Sequence, residues 1–115
     1  MTSIARAVHL RIVAPPGKQA ALLSFLREAT PYYEAIPGAR VRLLQDQTDT
    51  SRFIELVEYE TEEAYAADAE RVASDPVMLG YLARWRALLD GPPQVETFVD
   101  ITSQITCAQV PEDKA

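Results

Sequence analysis

Between residues 5 and 13 the side chains alternate, with Val8, Leu10 and Ile12 on one side and Ala7, His9, Arg11 and Val13 on the other. This period of two predicts a strand with unlike faces. Pro15-Pro16-Gly17 ends it, and apolar residues return at Leu22, Leu26, Ala29, Tyr33 and Ile36, in the steps of three and four that trace a helical stripe. Thr30-Pro31 inside that stripe predicts a kink or a second short helix rather than one rod. Pro37-Gly38 closes the helix. Residues 40–45 alternate again as a second strand, residues 46–51 carry polar hairpin-loop chemistry, and residues 53–59 form a third strand in which Ile54 and Leu56 oppose Phe53, Glu55, Val57 and Tyr59. Thr61 followed by Glu62 and Glu63 starts a helix that should run to about Ala73. Ser74-Asp75-Pro76 starts another, with Met78, Leu82, Trp85 and Leu89 on one face and a stop at Asp90-Gly91-Pro92-Pro93. Residues 94–102 read as the last strand.

Strand, helix, strand, strand, helices, strand is the ferredoxin-like βαββαβ order, an α+β fold with four antiparallel strands and helices on a single face. The domain should span residues 1–102. Residues 103–115 form a C-terminal extension, whose stretch 103–110, with Ile105, Cys107 and Val110, is expected to be a further extended segment crossing a partner subunit before a loose tail.

Helices cover only one face of such a sheet, and the aliphatic set Val8, Leu10, Ile12, Ile54 and Leu56 is the natural one for that side. The bare face would then carry His9, Arg11, Arg40, Arg42, Leu44, Phe53, Glu55, Val57, Tyr59 and Phe98. That mixture is too aromatic for plain solvent and too charged for a dry core. At ~4.8 Å between strands and ~3.3 Å per residue it amounts to roughly 400 Å², near the limit a monomer leaves exposed. A homodimer that packs two such faces together would shelter it and trap a ligand-sized cleft between the sheets.

Composition narrows the function. A chain of 115 residues, 48% hydrophobic and 24% charged, suits one globular domain that needs neither metal nor disulfide to fold. A single cysteine and the lack of a signal peptide or long apolar run point to the cytoplasm, with no membrane association. A net charge of −6 without a basic stripe argues against nucleic acid as a partner.

His9, the only histidine, is the leading candidate for a catalytic group, a proton acceptor that Glu55 could orient toward a phenol-like ligand. Its bland alternative is a hydrogen bond across the dimer seam. Arg11 and Glu55 could form a buried pair that sets the register between subunits, or contact substrate. Phe53, Tyr59 and Tyr32 could meet an aromatic ligand, while Tyr33 reads as packing. Trp85 lies on the stripe of the last helix, as core or as a wall of the pocket. Cys107 has no second histidine to activate it. Neither a metal-ligand spacing nor a phosphate-binding loop occurs, so no cofactor is expected.

Several segments carry a family resemblance: Val8-His9-Leu10-Arg11-Ile12-Val13 with its Pro-Pro-Gly turn, Ile36-Pro37-Gly38-Ala39, residues 52–64 from Arg52-Phe53-Ile54 to Glu62-Glu63-Ala64, and Ser74-Asp75-Pro76. Over residues 5–102 the chain resembles the dimeric α+β barrel superfamily, within it the antibiotic-biosynthesis-monooxygenase-like proteins. The resemblance implies a homodimer and a cofactor-independent monooxygenase acting on an aromatic or polyketide-like substrate. A non-catalytic ligand-binding or dimerisation module and a haem-degrading enzyme are the alternatives it leaves open. The chain departs from the family at Tyr59, where a Trp is often found, and lacks the Asn, Trp and His set of its oxygenases.

Overall fold

The computed structural model describes residues 4–106. Four strands, β1 (Arg6–Val13), β2 (Ala39–Gln45), β3 (Arg52–Tyr59) and β4 (Gln94–Val99), form one antiparallel sheet in the order β2-β3-β1-β4. Three helices, α1 (Gln19–Tyr33), α2 (Glu62–Ser74) and α3 (Pro76–Arg86), cover one of its faces. This is the predicted ferredoxin-like α+β architecture, with β1 and β3 as its interior strands.

Local chemistry explains most of the element boundaries. Thr61 accepts a hydrogen bond from the Ala64 backbone N–H, and Glu62 and Glu63 occupy the first turn of α2. Such a cap contributes about 1 kcal/mol. Pro76 opens α3 at a position where its missing N–H costs nothing. Gly38 enters β2 with φ +87°, a backbone conformation that favours glycine. Two expectations fail here. The first helix continues to Tyr33 as one element with Pro31 inside its last turn, so no second short helix starts at Thr30-Pro31. The last strand ends at Val99 rather than Thr102, and Thr102–Gln104 form a 3₁₀ turn, so Ser103 and Gln104 are not extended. Residues 107–110 of the anticipated crossing segment, Cys107 among them, lie outside the described residues.

The register between β1 and β3 decides which side chains share a face. Leu10 stands opposite Glu55, Val8 opposite Val57 and Ile12 opposite Phe53, while His9 faces Leu56 and Arg11 faces Ile54. Directly opposed residues point the same way. Phe53, Glu55, Val57 and Tyr59 therefore lie beneath the helices with Val8, Leu10 and Ile12, and Ile54, Leu56 and Glu58 lie on the open face. The reading of β1 holds, but the β3 faces are the reverse of those expected. Both sets on β3 are largely apolar, so alternation alone could not choose between them. Pairing and the demands of single side chains did: Phe53 is 5% exposed within the core, and the Tyr59 hydroxyl needs the buried Asp68 as acceptor.

The core concentrates at one end of the sheet, where Ile12, Phe53, Leu22, Phe25, Leu26, Ala29, Met78 and Trp85 pack together. At the other end the layers are joined by polar contacts. Asp68 on α2 accepts from Tyr59 of β3 and pairs with Arg71 at 3.0 Å. The Arg71 guanidinium also donates to the carbonyls of Tyr32 and Tyr33 at the end of α1, at 2.7 and 2.9 Å, and stacks on the Tyr32 ring. One arginine thus closes α1, orders Asp68 and ties both to β3. Asp68→Ala would leave the Tyr59 hydroxyl without its acceptor and the Arg71 guanidinium without its paired carboxylate, and should lower stability by about 2–4 kcal/mol in urea denaturation. A loss below ~0.5 kcal/mol would show that the clip is not structural.

Candidate functional site

Away from the packed end, the helix-facing side of the sheet is not filled. Helix α2 presents Tyr65, Asp68, Ala69 and Val72 there, and a cavity of about 290 Å³ remains between sheet and helices. Its floor is Val8, Leu10, Glu55, Val57 and Tyr59, continued by Val95 and Thr97 of β4. Tyr33, Tyr65, Asp68, Ala69, Val72, Met78, Leu82 and Trp85 roof it, and Arg86 and Pro93 border it. Val72 and Val95, 44% and 60% exposed, stand where it meets solvent. The volume is close to the lower end of ordinary small-molecule sites.

Glu55 is the exceptional group in this chamber. It is 3% exposed, and no ion pair compensates its carboxylate among the described residues. Burial pushes its pKa up to about 7, against a smaller opposing pull from the neighbouring indole N–H of Trp85. The two groups are close without completing a hydrogen bond, since Glu55 Oε1 and Trp85 Nε1 both lack a partner of good geometry. Tyr33 and Tyr59 behave differently: burial holds both phenols above the ordinary range, and Tyr59 donates its hydroxyl to Asp68. The chamber therefore offers one titratable carboxyl poised near neutrality, one unpaired N–H donor, and otherwise mostly apolar walls.

Of the residues singled out from sequence, Glu55, Tyr59 and Trp85 come together at this cavity. Tyr33, read as packing, is buried in the core and also lines it. His9 does not line the cavity: it is on the opposite face of β1, its ring 4.7 Å from that of Phe98, with Nδ1 buried and unpaired. Glu55 is across the sheet from it and cannot orient it. The expected Arg11–Glu55 pair is likewise absent, and Arg11 instead pairs with Glu96 of β4 at 2.8 Å. Phe53 belongs to the core, and together with Arg11 it borders a separate polar hollow of about 550 Å³ with Asp46, Arg52 and Asp90. Tyr32 donates to Asp75 and stacks under Arg71, outside the cavity. The ligand-sized space lies inside one protomer rather than against the open face. Haem degradation would need His9 or some other side chain positioned to ligate iron, and the His9 imidazole is on the other side of the sheet from the cavity.

The sequence reading missed Tyr65, Asp68, Ala69 and Val72. Their spacing of three, one and three residues is a helical stripe that could have been found on α2, but alanine and aspartate do not register as a buried face. No group of three or more His, Cys, Asp or Glu side chains able to hold a metal occurs among the described residues, and no described helix is long and apolar enough to cross a membrane.

No family model and no curated protein matches the chain. Solved structures do match it. A candidate antibiotic biosynthesis monooxygenase from Bordetella bronchiseptica superposes with TM-score 0.68 at 19% identity, over 86% of this chain and 99% of that one. A variant of SnoaB, a cofactor-independent oxygenase from Streptomyces nogalater, superposes with TM-score 0.70 at 15% identity, over 86% and 95%. A conserved protein from Methanosarcina mazei reaches TM-score 0.71 at 13% identity, over 84% and 93%. The fold is that of the antibiotic biosynthesis monooxygenases. At these identities the likeness is one of architecture.

The Glu55 carboxyl also makes a prediction about stability. Its pKa is raised on folding, from 4.5 to about 7, so the folded state holds the proton more tightly than the unfolded chain. The protonated form favours the fold fully below about pH 4.5, and that advantage is lost as pH rises through 7, on the order of 3 kcal/mol in all. Glu55→Gln should remove this loss. Relative to wild type, the variant should gain far more stability at pH 8 than at pH 4.5 in chemical denaturation. An equal effect at both values would mean that the carboxyl is not raised.

Proposed function

We propose that this protein is an enzyme that takes a small, largely apolar aromatic molecule into the cavity between its sheet and helices and oxygenates it without a cofactor. The observation that carries the reading is a single unpaired carboxyl, Glu55, buried in a mostly apolar chamber. The oxygenase fold shared with SnoaB supports it. Strongly perturbed carboxyls in clefts are frequent sites of proton transfer.

Oxygenation without a cofactor requires the substrate to supply the electrons. In the ionised form Glu55 accepts a proton from the substrate, leaving an electron-rich anion. Dioxygen takes two electrons from a carbon of that anion and, taking up a proton, becomes a carbon-bound hydroperoxide. Breaking the C–H bond at that carbon supplies the other two electrons, the O–O bond breaks, one oxygen stays as a carbonyl and the second leaves as water with the two hydrogens that the substrate gives up. The protein's share of the work is deprotonation and exclusion of water by the aliphatic and aromatic walls. Glu55 takes the role that the sequence suggested for His9, because it is the group that lines the chamber.

The open sheet face supports a homodimer. It carries the ion pairs Arg40–Glu58 and Arg11–Glu96, at 3.0 and 2.8 Å, beside exposed Leu44 and Phe98, and the edge strand β4 also exposes Val95 and Val99 on its other side. A second copy provides the same mixture of charges and apolar groups, self-complementary about a twofold axis. Replacing Leu44 and Phe98 together by Asp should convert a sedimenting dimer to a monomer. Wild-type protein that sediments as a monomer at high micromolar concentration would end this part of the reading.

The catalytic part is tested by oxygen uptake with a panel of polycyclic phenols and enols. Turnover should rise with pH to a plateau above about 7, following ionisation of Glu55. Glu55→Gln should reduce it by about 10²-fold or more while leaving the fold intact. An unchanged rate in that variant, or no uptake with any member of the panel, would refute the assignment.

A further inference from the structure

The polar ends of Glu55 and Trp85 specify what kind of group the cavity receives. Each side chain is almost wholly buried, at 3% and 4% exposure, and each leaves one polar atom, Oε1 and Nε1, without a hydrogen-bond partner. An unmade bond at a buried polar atom costs about 1–3 kcal/mol, so two on facing groups in one chamber are a substantial penalty unless something completes them. The two atoms are not equivalent. Indole N–H can only donate, and an ionised carboxylate can only accept.

We infer that Glu55 and Trp85 form a two-point clamp for one hydroxyl group, that of a phenol or enol, on the bound ligand. A hydroxyl is the smallest group that satisfies both atoms at once, donating its O–H to Oε1 and accepting the indole N–H on its oxygen. A ketone or ether serves the indole alone, an ammonium serves the carboxylate alone, and a hydrocarbon serves neither. A ligand carboxylate would bring a second negative charge against Glu55 in an apolar site. The rest of the chamber near the clamp, Val8, Leu10, Val57, Met78 and Leu82, offers only apolar surface for the ring that bears the hydroxyl. The clamp also serves the proton transfer. As the proton passes from the ligand oxygen to Oε1, the negative charge moves from Glu55 to that oxygen, and a hydrogen bond from the Trp85 N–H stabilises it there. Trp85 acts here on the reacting oxygen itself.

The inference deepens the enzymatic reading and rests on the same cavity, but binding and turnover separate the two. Trp85 is the only tryptophan, so its fluorescence reports directly on the clamp. Titration of the wild-type protein with 2-naphthol, 2-methoxynaphthalene and naphthalene should show 2-naphthol binding at least tenfold more tightly than the other two. Trp85→Phe, followed by the fluorescence of the ligand, should bring 2-naphthol to within about threefold of the methyl ether, provided its circular dichroism matches wild type. Glu55→Leu should do the same. Equal affinity for naphthol and its ether in the wild type, or failure of naphthol to bind, overturns the clamp without recourse to any variant. Selective naphthol binding with no oxygen uptake across the phenol panel supports the clamp and removes the oxygenase.

Discussion

The antiparallel pairing of β1 with β3 is the constraint on which the site depends. With Leu10 set opposite Glu55, the carboxyl is carried beneath the helices, and with Val8 opposite Val57 the strip beside it is aliphatic. A slip of one residue would turn every side chain on β3 to the other face, sending Glu55 and Tyr59 outward and bringing Ile54, Leu56 and Glu58 in. Tyr59 resists such a slip, since its hydroxyl reaches Asp68 on α2. Phe53, sealed in the core with Ile12, holds the opposite end of the strand. The register is therefore pinned at both ends, and Glu55 lies between the pins.

The contrast between the two ends of the inner face follows from the helices above them. Leu22, Phe25 and Leu26 of α1, with Met78 and Trp85 of α3, bring side chains large enough to fill the space over Ile12 and Phe53. Helix α2 brings Ala69, Val72 and the edge of the Tyr65 ring to the cavity beside Val57 and Tyr59, and its chief polar contribution, Asp68, is spent on the tyrosine and on Arg71. These side chains do not close the gap between the layers, so a cavity remains where α2 lies. It is held open without slack because Arg71 ties α2 to the end of α1.

Much of this architecture was legible from pattern. The alternation of β1, the stripes of α1 and α3, the Thr61 cap and the proline start of α3 each have a local cause, and each appears where that cause places it. The faces of β3 were not legible, because hydrophobicity on both sides removes the contrast that alternation depends on, and a carboxylate at position 55 looks like a solvent residue until its strand partner is known. The same error carried the candidate site to the wrong side of the sheet. With Glu55 assigned outward it came to sit beside His9, which is on the open face, and the pair suggested a catalytic couple that the pairing forbids. Trp85 was readable in both of its roles, since a stripe that packs the core also roofs whatever the core leaves empty.

A buried acid without a counterion is a costly thing for a small domain to keep. Folding stabilities are only some 5–15 kcal/mol, and the carboxyl shifted to about 7 gives up a noticeable fraction of that range once it ionises. A glutamine or a leucine would fit the strand pattern as well and carry no such penalty, and larger residues on α2 would fill the chamber above. Neither change weakens the pairing of β1 and β3 or the Arg71 clip. What the fold alone does not require is an unpaired carboxyl, an unpaired indole N–H and an empty volume in one place, and groups that lower stability together at one site are the signature of chemistry rather than of packing.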